Sequence, residues 1–396
     1  MSSEFSSTKA EPLRIPRAIW ALGFVSLFMD LSSELVHSLL PVFLVTTLGA
    51  SALTVGVIEG VAESTAMLVK IFSGAISDFI GRRKGLLLVG YGLAALTKPL
   101  FPLAHSVDVV FTARFLDRIG KGIRGAPRDA LVADVSPPEI RGACFGLRQS
   151  MDTVGAFLGP ALAIVLMLWL ADIQRVLWFA VIPAAIAVML IVAGVKEPTH
   201  ASSEHKYRSP IHWRVLRDFS TGYWWVVVVG GLFTLARFSE AFLVLRAQQM
   251  GLSVTWIPLV MVVMALFYTL SAYPAGWLSD RISRTKLLCV GMGLLVLADL
   301  VLAQSSSVIT MLLGVALWGL HMGFSQGILA SLVADKAPGK LKGTAFGIFN
   351  LVSGVCMLIA SVLAGWLWQS IGSDSTFLMG ALLAAIALLL LLIKKQ

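Results

Sequence analysis

Hydrophobic residues run along this chain in blocks of about twenty or more, broken by short clusters of Gly, Pro and charge. Neither the alternation of a half-buried strand nor the narrow stripe of a surface helix is sustained. A segment that is apolar on all sides must be covered by protein or by lipid, and about 20 residues of helix cross a hydrocarbon core. Reading the breaks predicts twelve spans, beginning near residues 18, 53, 85, 107, 142, 175, 222, 254, 286, 307, 343 and 374. The first sixteen residues, MSSEFSSTKAEPLRIP, are polar and show no cleavable signal pattern, so the first span is expected to be retained. An even number of spans puts both termini on one side.

Composition agrees. Of 396 residues 57% are hydrophobic and 13% charged, too little polar surface to cover a water-soluble globule of that size. The N-terminus, the connections after even-numbered spans and the C-terminus hold 21 of the 31 Lys and Arg, while the opposite loops hold only Arg175 and Arg246. That bias predicts cytoplasmic termini for a multi-pass protein of the cell inner membrane. It also accounts for the net charge of +9 without a nucleic-acid partner. Cys144, Cys289 and Cys356 lie in or at the ends of different spans with no CxxC spacing, so they read as small apolar filler; no metal site or cofactor is expected.

The chain repeats itself. "LVADVSPPEIRGACFG" at 131–146 returns as "LVADKAPGKLKGTAFG" at 332–347, and "GAISDFIGRRK" at 74–84 returns as "GWLSDRISRTK" at 276–286, with Asp78 matching Asp280. Offsets of 201 and 202 residues imply two six-span halves. The expected organisation is a cytoplasmic tail at 1–17, a six-helix bundle at 18–195, a hydrophilic cytoplasmic linker at 196–221 and a second bundle at 222–393.

"GAISDFIGRRK" closely resembles the loop between helices 2 and 3 of the major facilitator superfamily, G-x-x-x-D-x-x-G-R-[RK]-x-[RK], through Asp78, Gly81, Arg82 and Arg83; its second copy is degenerate, with Ser283 where Gly81 stands. "RFLDRIGKGIRGAPRDALVAD" at 114–134 is similar to helix 4 of a widespread prokaryotic branch of that family. The resemblance covers the whole chain. It implies an all-α membrane protein with twelve transmembrane helices in two pseudo-symmetric six-helix bundles, working by alternating access with the ligand site between them. Gly146, Gly155, Gly159 and Pro160 fit the helix 5 pattern G-x8-G-x3-G-P of the antiporter branch, which the second-half positions Cys356, Ala360 and Ser361 lack. Close packing alone would also use those glycines. In the resembled family the acid of the first loop meets the N-terminus of helix 11, so Asp78 is expected to latch one state, with Gly81, Arg82 and Arg83 around it.

Eight cations and eight acids remain within or at the margins of the spans: Lys70, Lys98, Arg114, Arg118, Lys121, Arg124, Arg148 and Arg237 against Asp30, Glu34, Glu59, Glu63, Asp117, Asp152, Glu240 and Asp299. An ionised residue at the bilayer centre costs about 2.5–3.5 kcal/mol on insertion scales, so the balance predicts pairing. Helical spacing puts Asp30, Glu34 and His37 on one face, Glu59, Glu63 and Lys70 on another, and the charges of 114–128 within an arc of roughly 120°.

Two roles compete for this polar seam. In one, Asp30, Glu34, His37, Arg114, Asp117, Arg118, Lys121, Arg237, Glu240 and His321 line a substrate and proton cavity, as the resemblance implies for helices 1, 4, 7 and 10. In the other, the charges form a rigid brace. Glu59, Glu63, Arg148 and Asp152, with Gly155, Gly159 and Pro160, are expected to gate or brace, and Arg237 and Glu240, one turn apart, can pair locally.

No HExxH, GxSxG or Walker loop occurs, which argues against an intramembrane enzyme and against direct ATP coupling. The leading expectation is a proton-coupled antiporter, acting as a monomer in the lipid bilayer, that exports a small-molecule substrate such as a drug, toxic compound or metabolite. The alternative is a symporter or facilitator importing an anionic nutrient or metal chelate.

Overall fold

The computed structural model describes residues 15–195, 213–279, 281–338 and 341–393; most of the expected linker, and Asp280, lie outside them. Polar residues start the long helices close to where the breaks in the sequence put them. Ser51 accepts from the Thr54 amide at 3.1 Å, Ser220 from that of Tyr223 at 3.2 Å, and Ser307 forms a capping box with Thr310. Fourteen α-helices make the twelve spans among the described residues. The first half has α1 (Arg17–Val42, continued as a π-helical turn Phe43–Thr47), α2 (Ala52–Ile80), α3 (Arg83–Thr97), α4 (Val107–Val135), α5 (Arg141–Leu170), and one span in two pieces, α6 (Ile173–Trp178) and α7 (Val181–Gly194). The second half opens with another broken span, α8 (Thr221–Ala236) and α9 (Ala241–Gln249), then α10 (Leu259–Ser279), α11 (Arg284–Ala303), α12 (Val308–Lys336), α13 (Lys342–Ser370) and α14 (Ser373–Ile393).

Ten of these spans are long and apolar enough to cross a membrane by length and composition. The exceptions are α3, which is short, and α4, which carries nine ionisable side chains.

Helix pairing repeats between the halves. In the first, α1 packs on α5 and α7, α2 on α4, and α3 on α4 and α7; in the second, α8 packs on α13 and α14, α10 on α12, and α11 on α12 and α14. Across the middle, α2 meets α13 and α5 meets α10, two contacts that exchange when the halves are swapped. Twelve helices in two pseudo-symmetric six-helix bundles are therefore present.

Small residues permit the closest crossings. A methyl placed on Gly159 of α5 would come 2.7 Å from the Leu31 carbonyl of α1, and Gly155 abuts the Leu27 carbonyl one turn earlier. Between the bundles, a methyl on Gly365 of α13 would lie 2.6 Å from the Ala52 carbonyl of α2. These neighbours are backbone and cannot rotate aside, so the helix 5 glycines do serve as packing contacts between α1 and α5.

Gly159→Ala is expected to lower the melting temperature of the detergent-solubilised protein, at about 1–3 kcal/mol for overpacking. Gly92→Ala, in α3 with nothing within 4 Å, is expected to raise it slightly through helix propensity of up to about 1 kcal/mol. Equal effects of the two would contradict this packing account.

Candidate functional site

The charged arc of α4 turns inward against α2, α3 and α1, and neutralisation is local. Arg114 forks onto Glu59 of α2, Nε to Oε1 at 3.0 Å and Nη2 to Oε2 at 2.7 Å, with both side chains almost wholly buried. One turn on, Arg118 forms an ion pair with Glu63, Nη2 to Oε1 at 3.0 Å. Asp117 faces the other way and accepts from Lys98 at 2.8 Å; Lys98, at the end of α3, also donates to Ser33 at 3.1 Å. Helical spacing explains the split: Arg114 and Arg118 are four residues apart on one face, while Asp117 lies about 60° round from Arg114 and about 100° from Arg118.

His37 of α1 connects to this cluster. Its Nδ1 is 3.3 Å from Glu34 and its Nε2 is 3.7 Å from Glu59, the second too long for a hydrogen bond.

A second cluster lies nearer the end of the bundle that carries the termini. Arg148 donates to Asp152 at 3.3 Å and to Gln149 at 2.7 Å, both within α5, and Arg128 of α4 reaches Asp152 at 3.5 Å and Ser26 of α1 at 3.2 Å. Arg124 lies over the ring of Tyr91, 4.7 Å from its centroid. Asp30 of α1 comes within hydrogen-bonding reach of Asp152. Two carboxylates side by side repel each other, and either a proton between them or the cations around them can relieve that repulsion.

Lys121 lies between the clusters. It is exposed, forms no ion pair within 4.0 Å among the described residues, and lies within electrostatic reach of Asp30, Glu34 and Glu63. Its Cα is about 21 Å along a helix of about 43 Å, so it stands at mid-membrane. An ammonium at that depth is not expected to face lipid, which makes this exposed side of α4 a candidate wall for a polar cleft. Tyr268 of α10, from the other bundle, lies within electrostatic reach of Asp152 and of Arg237.

Several expected site residues are placed differently. Arg237 and Glu240 do not pair: α8 stops at Ala236, and the helical turn that would have set them face to face is absent. Arg237 instead lies over Phe233, 5.8 Å from the ring centroid. His321 is fully buried, edge-on to Trp318 at 5.2 Å and to Phe233 at 6.2 Å, rather than on an open wall. Asp78, exposed just before Gly81 closes α2 at φ +67°, has its ion pair with Arg83 at 3.8 Å rather than with the start of α13. Arg83 binds Asp134 more closely, at 2.7 Å, and Arg82 is the exposed residue that opens α3.

Sequence reasoning counted Lys98 and Arg124 among the cations without finding their partners. Asp117 is 19 residues from Lys98 and Tyr91 is 33 from Arg124, separations that carry no periodic signal. A cavity of about 510 Å³ at the end away from the termini, lined by residues including Val45, Ser51, Leu245, Gln249 and Trp368, contains no ionisable side chain and is separate from the seam.

A family model described as Major Facilitator Superfamily matches residues 22–265 and 241–396. An MFS-type transporter of Methanocaldococcus jannaschii is 31% identical over 387 residues, 96% of this chain and 95% of its own length. Multidrug resistance protein MdtH of Yersinia pestis is 24% identical over 88% of this chain and 86% of its own. Among solved structures, nucleoside transporter NupG superposes with a TM-score of 0.79 at 11% identity, over 96% of this chain and all of the other. The human organic anion transporter MFSD10 gives 0.68 at 19%, with the same coverage. Both structural likenesses show the fold alone.

Lys98→Met, which strands the Asp117 carboxylate, is expected to destabilise the protein by about 3–5 kcal/mol, and Lys98→Met with Asp117→Leu to recover most of that loss. Thermal unfolding of the single and double variants measures both. A double variant no better than the single one would show that Asp117 does not depend on Lys98.

Proposed function

We infer that this chain, which belongs to the major facilitator superfamily, is a proton-coupled antiporter that exports a small molecule from the cytoplasm by alternating access between its two bundles. The single observation that carries the coupling is the Asp30–Asp152 contact, two carboxyl groups from different helices of one bundle placed so that they can share a proton. Lys121 and Arg128 stand within reach of the same carboxylates. A proton leaving the pair exposes a charge to those cations, and their approach lowers the cost of release. In that reading Asp30 and Asp152 carry the proton. The substrate occupies the cleft beside Lys121, Glu34 and Glu63, bounded on the other bundle by Tyr268 and Arg237.

Arg114–Glu59, Arg118–Glu63 and Lys98–Asp117 act as the brace. Their charges are matched and, apart from the partly exposed Glu63, almost fully removed from solvent, so they hold α2, α3 and α4 as one body. The brace and the cavity are then neighbouring parts of one seam. Asp78 serves as a latch against α13 in the alternate state, giving up Arg83 to do so. Export is supported by the glycine and proline pattern of α5 and by the multidrug resistance relative. The Lys and Arg bias supports cytoplasmic termini in the inner membrane, and a monomer supplies the whole seam.

One observation favours a second reading, transport of an anion. Among the described residues Lys121 is an exposed cation without an ion pair at mid-membrane, and Arg237 of the other bundle has its Nε unbonded. Direction of coupling separates the two: export by exchange moves protons against the substrate, and anion symport moves them with it.

In proteoliposomes holding a pH-sensitive dye, a panel of lipophilic cations and organic anions is expected to include a compound whose addition drives proton movement opposite to its own. Asp30→Asn is expected to abolish that movement while leaving substrate-dependent thermal stabilisation within about twofold in affinity. Coupled proton flux at wild-type rate in Asp30→Asn and in Asp152→Asn would remove the pair from the mechanism.

A further inference from the structure

Among the described residues, the second bundle contains a fully buried acid that neither the seam nor any ion pair uses. Asp299 of α11 is fully buried, and neither of its side-chain oxygens has a hydrogen-bond partner. It lies at the break between α8 and α9. A methyl placed on Gly380 of α14 would come 2.5 Å from Asp299 Oδ2, 3.0 Å from the Phe238 ring and 3.2 Å from the carbonyl oxygen of Ala236, the last residue of α8. The carboxyl and the end of α8 therefore crowd one small space that only a glycine leaves open.

Around that space nothing offers a positive charge to the acid. Arg237 in the break is within 4.0 Å of no carboxylate and has its guanidinium over Phe233, while Glu240 opens α9. From α12, His321 packs edge-on to Trp318, and Asp335 and Lys336 lie at the far end of the helix. On α14 the charged described residue is Asp374, paired with Arg246 at 2.8 Å. On α11 itself Arg284 and Lys286 lie at the opposite end, α10 brings only Tyr268 and Tyr273, and α13 is uncharged beyond Lys342.

An ionised carboxylate in such a place would be both desolvated and held against the negative end of a helix, whose last carbonyls lack partners within the helix. A neutral carboxylic acid removes both penalties and adds a donor where carbonyl oxygens lack one. We propose that Asp299 is a resident proton-binding site, in which the neutral acid donates to the free carbonyl of Ala236 and closes the joint between α8 and α9. This proton belongs to the second bundle and is separate from the one that Asp30 and Asp152 can share. Its loss at alkaline pH loosens the joint without involving the cleft.

The purified protein tests this without a substrate. The infrared difference between wild type and Asp299→Asn at neutral pH is expected to contain one protonated-carboxyl carbonyl band, lost in the variant and retained in Asp30→Asn. Asn reproduces the donor and the acceptor of the neutral acid, so Asp299→Asn is expected to fold and to lose less melting temperature than wild type between neutral and alkaline pH. Gly380→Ala, whose methyl intrudes on Oδ2, is expected to shift the same band and covers the case in which Asp299→Asn fails to fold. Absence of the band from the difference spectrum would overturn the proposal. So would a rise of wild-type melting temperature with sodium at constant ionic strength that Asp299→Asn loses, since it would mark a metal-cation site instead.

Discussion

The structure depends on one electrostatic constraint: α4 places Arg114, Asp117 and Arg118 in the membrane, and each must find an opposite charge on another helix. Glu59 and Glu63 come from α2 and Lys98 from the end of α3, so two helices are fixed relative to α4. A buried pair is weak evidence of net stability, because desolvation offsets most of the Coulombic gain. Its value here is positional. Moving α2 or α3 by a turn along α4 would strand two charges where the native arrangement strands none, so the alternatives are far costlier than the native arrangement is favourable. The bundle thereby acquires a unique register that apolar packing of Leu, Val and Ala alone would not impose.

The second bundle achieves register by other means. Phe233, Phe238, Phe242, Trp318, Trp368 and Phe377 interlock with ring centroids 5.3–6.2 Å apart along a chain of contacts that includes His321. Arg246 is the one heavily bonded ion there, and it is satisfied mainly by the carbonyls of Leu302, Ala303 and Ser305 with the hydroxyls of Ser305 and Ser373. Those bonds tie α9 to the ends of α11 and α14. Repeated halves with the same helix pairing have thus diverged in what holds them together. An ionic half adjoining the cleft and an aromatic half facing it suit a transporter whose chemistry resides on one side.

Much of this was legible in the sequence, for identifiable reasons. Span boundaries follow from Ser, Gly, Pro and charge, which act locally through caps and turns, and the predicted starts near 53, 107, 142 and 343 match helices α2, α4, α5 and α13 to within a residue. The inward face of α4 followed from spacing alone. Pair identities did not, because Glu59 and Arg114 are 55 residues apart and either Glu59 or Glu63 satisfies the same periodicity. Expectation failed most clearly at Arg237 and Glu240. Pairing them assumed a continuous helix through 237–240, and "ARFSE" contains no proline or glycine to announce a break. That break is stabilised from outside, by Ser361 accepting from the Ser239 amide and by Ser239 accepting from that of Ala241. Tertiary hydrogen bonds of this kind leave no local trace.

The way the bundles touch limits how they can move. Contacts between α2 and α13 run from Ala52 against Gly365 to Ser64 against Gly354, with Gly56 and Gly60 between, all within the part of α2 away from the termini. Backbone meets backbone along this line, so it does not yield by side-chain rotation. Separation there must break the contact as a unit, and the internal ties of each half favour that outcome: α9 is fastened to its own bundle through Arg246, and α2 to its own through Glu59 and Glu63. Bending a single helix would sever buried ion pairs or the Arg246 bonds, at several kcal/mol each, whereas rocking whole bundles exchanges only apolar and backbone contacts at the seam. Rigid-body rocking is therefore the low-cost motion, and it changes the side of the membrane to which the charges on the inner wall are open without separating them from their partners.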